Sequence, residues 1–202
     1  RSKAQSIYNR AGRKTVKTGF DAWRVKTKWK KGEFRQEYSM EYLANSIDRV
    51  WFDENSIEPF RQDSKHFWVM TEMTKGAFKS KWPKATVSPV GTDRDLDQYW
   101  YKPDKIMVGE FNYCKPELVK LGLLNTGESV ELTESNMHLI ESRGLSVVRE
   151  RTEERDVWYS RKFSGSEWLE DAKETVFKSP CVIPLYGNFE VAEGKVIWRG
   201  AV

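Results

Sequence analysis

Residues 19–53, GFDAWRVKTKWKKGEFRQEYSMEYLANSIDRVWFD, carry the clearest structural pattern in the chain. Read with a period of two, the first half of this stretch alternates apolar and basic residues, which is typical of a half-buried strand. One face carries Trp23, Val25, Thr27 and Trp29, and the other carries Arg24, Lys26, Lys28 and Lys30. The alternation resumes after Lys31-Gly32, so the pattern predicts a long antiparallel hairpin. A two-residue loop at Lys31-Gly32 would pair Trp29 with Phe34, Val25 with Tyr38, Trp23 with Met40, and Lys26 with Glu37.

Length and composition indicate a folded chain. Its 202 residues suffice for one good core or at most two small domains. Aromatic residues make up 13% of the sequence and include nine Trp, which argues against disorder. The net charge of +4 is too mild to identify a nucleic-acid-binding protein. In residues 1–31, however, every charged side chain except Asp21 is basic, so a basic arm or face could meet phosphates. A solvated helix face is the more frequent explanation.

Targeting signals and cysteine usage indicate the compartment in which the chain is expected to fold. There is no signal peptide and no apolar run long enough to span a bilayer, so no membrane partner is predicted. Cys114 and Cys181 are far apart in sequence, which favours free thiols in a reducing compartment over a disulfide. Because the chain opens with Arg1 and stops just after a strand-like run, we expect a fragment of a longer protein.

The remaining patterns predict an α+β fold of mostly antiparallel strands and hairpins, with roughly eight to ten strands and three short helices. A basic helix over 1–18, capped by Gly19, is expected to enter a single domain over 19–202. Two further helices follow the caps Thr74 and Thr133. Strands are predicted at 44–53, 66–73, 105–114, 117–124, 129–133, 145–163, 181–187, 189–191 and 196–199. The predicted connections are exposed loops at 53–65 and 84–97 and turns at 125–128, Ser164-Gly165 and Glu193-Gly194.

Catalytic and metal motifs are weak. Asp93, Asp95 and Asp97 have the alternate carboxylates of a calcium loop, but Gln98 stands where that loop needs Gly, and a solvated loop is the better interpretation. Pro103-Asp104 and Glu110 half-match a Mg²⁺ nuclease pattern, with Asn112 where a Lys is required. The alternative is that Glu110 is an outward residue on a strand.

Histidine and cysteine chemistry is equally sparse. His66 and His138 are the only histidines, and no Cys lies at ligand spacing from either. His66, at the head of an apolar strand, is more often a hydrogen-bonded structural residue than a catalytic base. We therefore predict no catalytic residue, no metal and no cofactor.

The basic row on the first strand is the candidate nucleic-acid-facing site: Arg24, Lys26, Lys28, Lys30 and Lys31. Such a row could contact phosphates while nearby tryptophans stack on bases. Trp23 and Trp29 lie on the opposite face, however, and Glu37 is the expected cross-strand partner of Lys26. A solvated charged face is therefore favoured.

Six segments together are similar, in the same order, to the middle portion of P22-like phage portal proteins. They are KTGFDAWRVKTKW, RVWFDENS, DSKHFWVMTEMTKGAFKSKWP, DKIMVGEFNYC, RGLSVVRERTEERDVWYS and SPCVIPLYGNFEVAEGKVIWRGAV. The most characteristic are the strand opening Asp21-Ala22-Trp23-Arg24, the WFD-x-N-S turn at 51–56, and the Ile183-Pro184 strand with its EGK hairpin. The regions 83–104 and 115–144 match only loosely, so no interface or DNA-facing residue carries over there.

This resemblance implies a structural, non-enzymatic subunit of a dodecameric ring at one capsid vertex, through which the genome is packaged and ejected. It implies that this segment forms the peripheral wing. The implied partners are terminase, scaffolding, capsid, head-completion and tail proteins, and packaged double-stranded DNA. The implied location is the virion, with assembly in the host cytoplasm. The alternative from the residues alone is a nucleic-acid-binding module that uses the basic N-terminal third; a nuclease built on Asp104 and Glu110 is a third possibility.

Overall fold

The computed structural model describes residues 3–86, 104–192 and 195–200. The candidate calcium ligands Asp93, Asp95 and Asp97, most of the predicted 84–97 loop, and the Glu193-Gly194 turn lie outside these residues.

The described chain is α+β, as predicted, and every strand pairing is antiparallel. The helices are α1 (Ala4–Thr18), α2 (Lys75–Lys81) and α3 (Glu134–Ser142), with a 3₁₀ turn at Ser46–Asp48. The strands are β1 (Phe20–Trp29), β2 (Gln36–Leu43), β3 (Val50–Phe52), β4 (His66–Thr74), β5 (Lys105–Leu124), β6 (Ser129–Glu131), β7 (Val147–Ser164), β8 (Glu167–Trp168), β9 (Lys173–Glu174), β10 (Val182–Tyr186), β11 (Asn188–Ala192) and β12 (Lys195–Arg199).

Two sheets carry most of the structure. The smaller sheet has the order β10-β1-β2, and the larger has the order β3-β4-β5-β7-β8, with β6 added to β5 and β9 added to β7. Strands β11 and β12 form a separate hairpin. Apolar residues from both sheets share one core, in which Ala22 and Val182 of the small sheet join Phe67, Val69 and Trp158 of the large one. The two sheets therefore stabilise each other by burying their apolar faces together.

Local capping signals placed the helices correctly. Gly19 ends α1 in the left-handed conformation (φ +80°), which glycine adopts without steric cost, and its N–H donates to the carbonyl of Thr15 at 2.8 Å. The hydroxyls of Thr74 and Thr133 accept hydrogen bonds from the first turns of α2 and α3. These three predicted boundaries are confirmed.

The predicted register of the first hairpin is wrong by two residues. The strands pair so that facing residue numbers sum to 65, which places Trp29 opposite Gln36, Val25 opposite Met40 and Lys28 opposite Glu37. The turn is longer than two residues, because the N–H of Lys30 donates to the carbonyl of Arg35 and closes the loop. A shift of two leaves the same residues together on each face of the hairpin, so the apolar pattern does not distinguish the two registers. The face that is buried at the start of β1 is the one that carries Ala22 and Arg24, not the one that carries Trp23 and Val25.

Two further strand predictions need correction. The third strand is not 44–53 but the three residues Val50–Phe52, preceded by the 3₁₀ turn. Residues 105–114 and 117–124 form one strand, β5, which runs through Pro116. The edge of β5 around Pro116 lies between the stretches that pair with β4 and β6, so its missing N–H deprives neither of these described strands of a partner.

Candidate functional site

Arg24, the first residue of the predicted basic row, is buried rather than solvated. It is 5% exposed. Its Nε lies 2.5 Å from Glu41 Oε2 on β2, and its Nη1 lies 3.2 Å from Glu110 Oε2 on β5. Although burial opposes the charged form, Glu110 and Glu41 raise the pKa of Arg24 above its ordinary value. The guanidinium therefore joins the small sheet to the large sheet.

The lysines of the row are mostly paired with carboxylates. Lys26 Nζ lies 2.6 Å from Glu41 and Lys28 Nζ lies 3.1 Å from Glu37, both on the neighbouring strand. Lys30 is paired with Glu33 in the turn at 2.5 Å. Among the described residues, Lys31 is the member of the row without a carboxylate within ion-pair distance. That the row faces nucleic acid stays a prediction, but a phosphate there would compete with these carboxylates.

Glu110 is not the outward strand residue of the sequence-based interpretation. Its side chain is 23% exposed and is held by Arg24 at the edge of an open cleft of about 490 Å³ between the sheets. The other proposed nuclease carboxylate, Asp104, precedes Glu110 by six residues on an extended segment, a separation of roughly 20 Å. Two carboxylates that far apart do not hold one Mg²⁺ ion. Within the described ranges, no group of three or more His, Cys, Asp or Glu residues is placed to bind a metal.

The same cleft is also lined by two neighbouring cations, Lys81 and Lys162. Burial and the nearby Lys162 lower the pKa of Lys81, which stacks over the ring of Trp82 at 4.6 Å. Burial acts against ionisation of Glu170, but Lys162 and Lys173 nevertheless hold its pKa below the ordinary value. Lys162 and Lys173 lie 3.4 and 3.2 Å from the Glu170 carboxylate, so this one acidic group is shared by two lysines.

Both thiols are free, as predicted, and both are half-buried. Burial, with a further contribution from Glu110, raises the pKa of Cys181 to about 11. Burial also raises the pKa of Cys114. Because the thiolate is the nucleophilic form, neither environment activates its cysteine near neutral pH.

His66 lies beside aromatic residues and one carboxylate. Its Nδ1 is 3.7 Å from Asp53 Oδ2, and its ring centroid is 6.1 Å from those of Trp68 and Phe111. The Asp53 carboxylate accepts hydrogen bonds from the backbone of Asn55 and Lys65, so it organises the turn after β3. This geometry favours the structural interpretation of His66.

The basic helix α1 carries a second cationic surface, which lies outside the predicted basic row on β1. Arg10, Arg13, Lys14 and Lys17 are spaced i, i+3, i+4 and i+7, which places them along one helical face. They line a groove of about 300 Å³ with Tyr42 and Asn45. Arg10 stacks on the Tyr42 ring at 4.2 Å. Across the described part of the chain, none of the four cations has a carboxylate within ion-pair distance. We call this set the α1 basic stripe.

No helix in the described ranges is long and apolar enough to cross a membrane.

Two comparisons with known proteins point to the same family. Residues 1–202 match the family model described as phage P22-like portal protein. A curated relative from Acyrthosiphon pisum secondary endosymbiont phage 1, named "Portal protein", is 24% identical over 162 residues. That similarity covers 76% of this chain and 22% of the relative, so the chain spans about a fifth of the length of this relative.

Proposed function

This chain belongs to the phage P22-like portal protein family, and we propose that it is part of a structural subunit of the phage portal. In this proposal the full-length protein forms a dodecameric ring at one capsid vertex, through which the genome is packaged and ejected. The observation that carries the proposal is the family match over residues 1–202.

We further propose that this segment forms the peripheral wing of the subunit. The proposal follows from the ordered similarity of six segments to the middle portion of portal proteins. It is supported by the build of the chain, in which two sheets share one core and are joined by the Arg24–Glu110 ion pair. Side chains that are packed from both sheets resist local opening, so this part of the chain is rigid. A lobe that projects from a ring needs such rigidity to keep its shape.

The proposed partners are neighbouring copies of the subunit, terminase, scaffolding, capsid, head-completion and tail proteins, and packaged double-stranded DNA. The proposed location is the portal vertex of the virion, reached by assembly in the host cytoplasm. A single domain over 19–202, entered by the helix at 1–18, stays part of this proposal. We propose no enzymatic activity, and the engagement of Glu110 by Arg24 and the raised pKa of both thiols support that view.

The test is electron microscopy of the intact polypeptide that contains this segment. We expect rings with an axial hole and peripheral lobes. Inserting a small folded tag in the exposed turn Asn125-Thr126-Gly127-Glu128 should add density at the periphery of each subunit. Density at the axis would refute the wing placement while leaving the ring intact. Monomers or dimers at every protein concentration would refute the portal function.

A second candidate function is nucleic-acid binding by the basic N-terminal third, and the α1 basic stripe favours it. The stripe offers four cations without carboxylate partners within the described ranges, whereas most of the β1 row is neutralised. Counterion release predicts that removing one cation from a phosphate reduces the slope of log affinity against log salt by roughly 0.9.

Two matched double variants separate the two surfaces. Arg13→Ala/Lys17→Ala and Lys28→Ala/Lys30→Ala each remove two positive charges, the first from the stripe and the second from paired positions. For DNA binding measured by fluorescence anisotropy across a salt series, we expect the first variant to reduce the slope by about 1.8 and the second to change it little. Equal effects would point to net charge alone, and negligible binding at low salt would remove this function.

A further inference from the structure

The first of two exposed apolar patches is the hairpin tip, defined as residues 28–38. Three aromatic side chains project from it: Trp29 is 63% exposed, Tyr38 is 73% exposed and Phe34 is fully exposed. Lys31 and Arg35 are also exposed there and have no carboxylate within ion-pair distance among the described residues. The tip as a whole has four basic and two acidic residues, a net charge of +2. The hairpin tip is therefore an exposed aromatic surface with a net positive charge.

The second patch is the acidic loop, defined as residues 53–63, between β3 and β4. Ile57 is 90% exposed and Phe60 is 57% exposed. Glu54 and Glu58 are exposed beside them, and neither has a cation within ion-pair distance in the described part of the chain. The loop has four acidic residues and one basic residue, a net charge of −3. It therefore complements the hairpin tip in charge and resembles it in apolar character.

The acidic loop holds its exposed apolar groups in a fixed conformation. The carboxylate of Asp63 accepts hydrogen bonds from the backbone N–H groups of Ile57 and Glu58, at 2.7 and 3.2 Å. Arg61 adopts the left-handed conformation (φ 56°), which is unfavourable for a residue with a side chain, and its Nε donates to Tyr186 Oη at 3.1 Å. A loop that is fixed in this way binds a partner without first losing its own conformational freedom.

The two patches lie at opposite ends of β1. The hairpin tip includes Trp29, where β1 ends. The acidic loop contacts Tyr186, and Tyr186 pairs with Phe20, where β1 begins. Ten residues of strand separate these ends by roughly 30 Å, so the two patches of one chain do not reach each other.

We propose that the hairpin tip of one subunit packs against the acidic loop of a second copy of this chain. The inference rests on the proposed portal function, which requires copies arranged in a ring. A closed ring uses head-to-tail contacts, in which two different patches of each subunit must complement one another. The two patches fit that requirement: aromatic side chains meet Ile57 and Phe60, while Lys31 and Arg35 face Glu54 and Glu58.

Disulfide crosslinking of the full-length protein tests the contact directly. Phe34→Cys/Ile57→Cys places one cysteine at the centre of each patch, and we expect oxidation to give a ladder of covalent oligomers. The matched control is Phe34→Cys/Leu118→Cys, because Leu118 on β5 is 76% exposed but belongs to neither patch. The native thiols are half-buried, and oxidised wild type measures their background.

Charge reversal tests the specificity of the contact. Lys31→Glu/Arg35→Glu and Glu54→Lys/Glu58→Lys each replace two attractions with repulsions. Made in the crosslinking background, each should slow ladder formation on the order of tenfold at low salt. Combining all four changes should restore the rate, and a purely structural effect of either pair would not be reversed in this way.

The outcomes distinguish failure of the proposed contact from failure of the proposed portal function. A ladder that exceeds the control, disappears on either reversal and returns on the combination supports the contact. Rings whose ladder does not exceed the control would overturn the contact and leave the portal function standing. A crosslink between positions 34 and 57 of the same chain would show that the two patches reach each other within one subunit, and would also overturn it. If wild type forms no rings, the portal function itself fails.

Discussion

Replacing Arg24 with Met should destabilise the chain far more than its place in an alternating basic row suggests. The side chain is 5% exposed, and its guanidinium lies between Glu41 and Glu110. Met keeps much of the apolar stem but leaves Glu110 beside the core without its cation. Removing one partner of a fully buried pair costs about 3–5 kcal/mol.

Solvent reduces that cost here. The Glu110 side chain is 23% exposed, and Glu41, which is 43% exposed, keeps Lys26 as a partner. We therefore expect a loss of about 2–3 kcal/mol in the free energy of unfolding. With a urea dependence of about 2–3 kcal/mol per molar, the unfolding midpoint should fall by roughly 1 M.

Urea unfolding followed by tryptophan fluorescence measures this shift. The control is Lys26→Met, which removes a cation from the same Glu41 carboxylate at a side chain that is 41% exposed, and should cost about 0–1 kcal/mol. Adding Glu110→Gln to Arg24→Met removes the unpaired charge and should restore about 1 kcal/mol. If Arg24→Met and Lys26→Met shift the midpoint equally, the buried ion pair does not join the sheets as we argue.

Three further predictions concern the core, the glycines and the pH dependence. Phe67→Ala, at a side chain that is 1% exposed in the shared core, should lower the free energy of unfolding in urea by about 3–5 kcal/mol. Ile57→Ala, at a side chain that is 90% exposed, should change it by about 0.5 kcal/mol or less, and similar shifts for the two variants would contradict the assigned core. Gly109→Ala should cost about 1–3 kcal/mol, because a methyl group there overlaps the ring of Phe163 on β7. Gly12→Ala, in open space on α1, should instead stabilise the chain by about 0.5–1 kcal/mol. Melting temperatures of the two variants that shift in the same direction would refute this. The 2.6 Å hydrogen bond from the Tyr159 hydroxyl to the Glu117 carboxylate on β5 is the main reason that the pKa of Tyr159 rises to about 12. The stability that this bond provides is therefore present below pH 10 and is lost as the pH rises from about 10 to 12. The unfolding midpoints of wild type and Tyr159→Phe should converge over that interval, and a constant difference would refute the assignment.

Most secondary structure followed from local chemistry. Alternation placed β1, β2 and β7, and threonine and glycine caps placed the helix boundaries, because these signals act between residues a few positions apart. The order of familiar segments also sufficed to predict the family, which the match over residues 1–202 confirms.

Register and burial depended on contacts between distant parts of the chain. Alternation groups the side chains that share a face, but it does not show which face is buried or which residue lies opposite, so the hairpin register remained ambiguous by two. The α1 basic stripe was accessible from its i, i+3, i+4, i+7 spacing, but its lack of carboxylate partners in the described ranges was visible only in three dimensions.

Arg24 illustrates the division best. From the sequence it is one member of a charged row, indistinguishable from Lys26 or Lys28. In the fold, β1 packs against the large sheet and brings Arg24 to Glu110, which is 86 positions away along the chain. The strand, its alternation and the family of the chain could all be predicted from the residues alone. Which charge is buried could not be predicted in this way, because burial depends on what the other sheet places over that side chain.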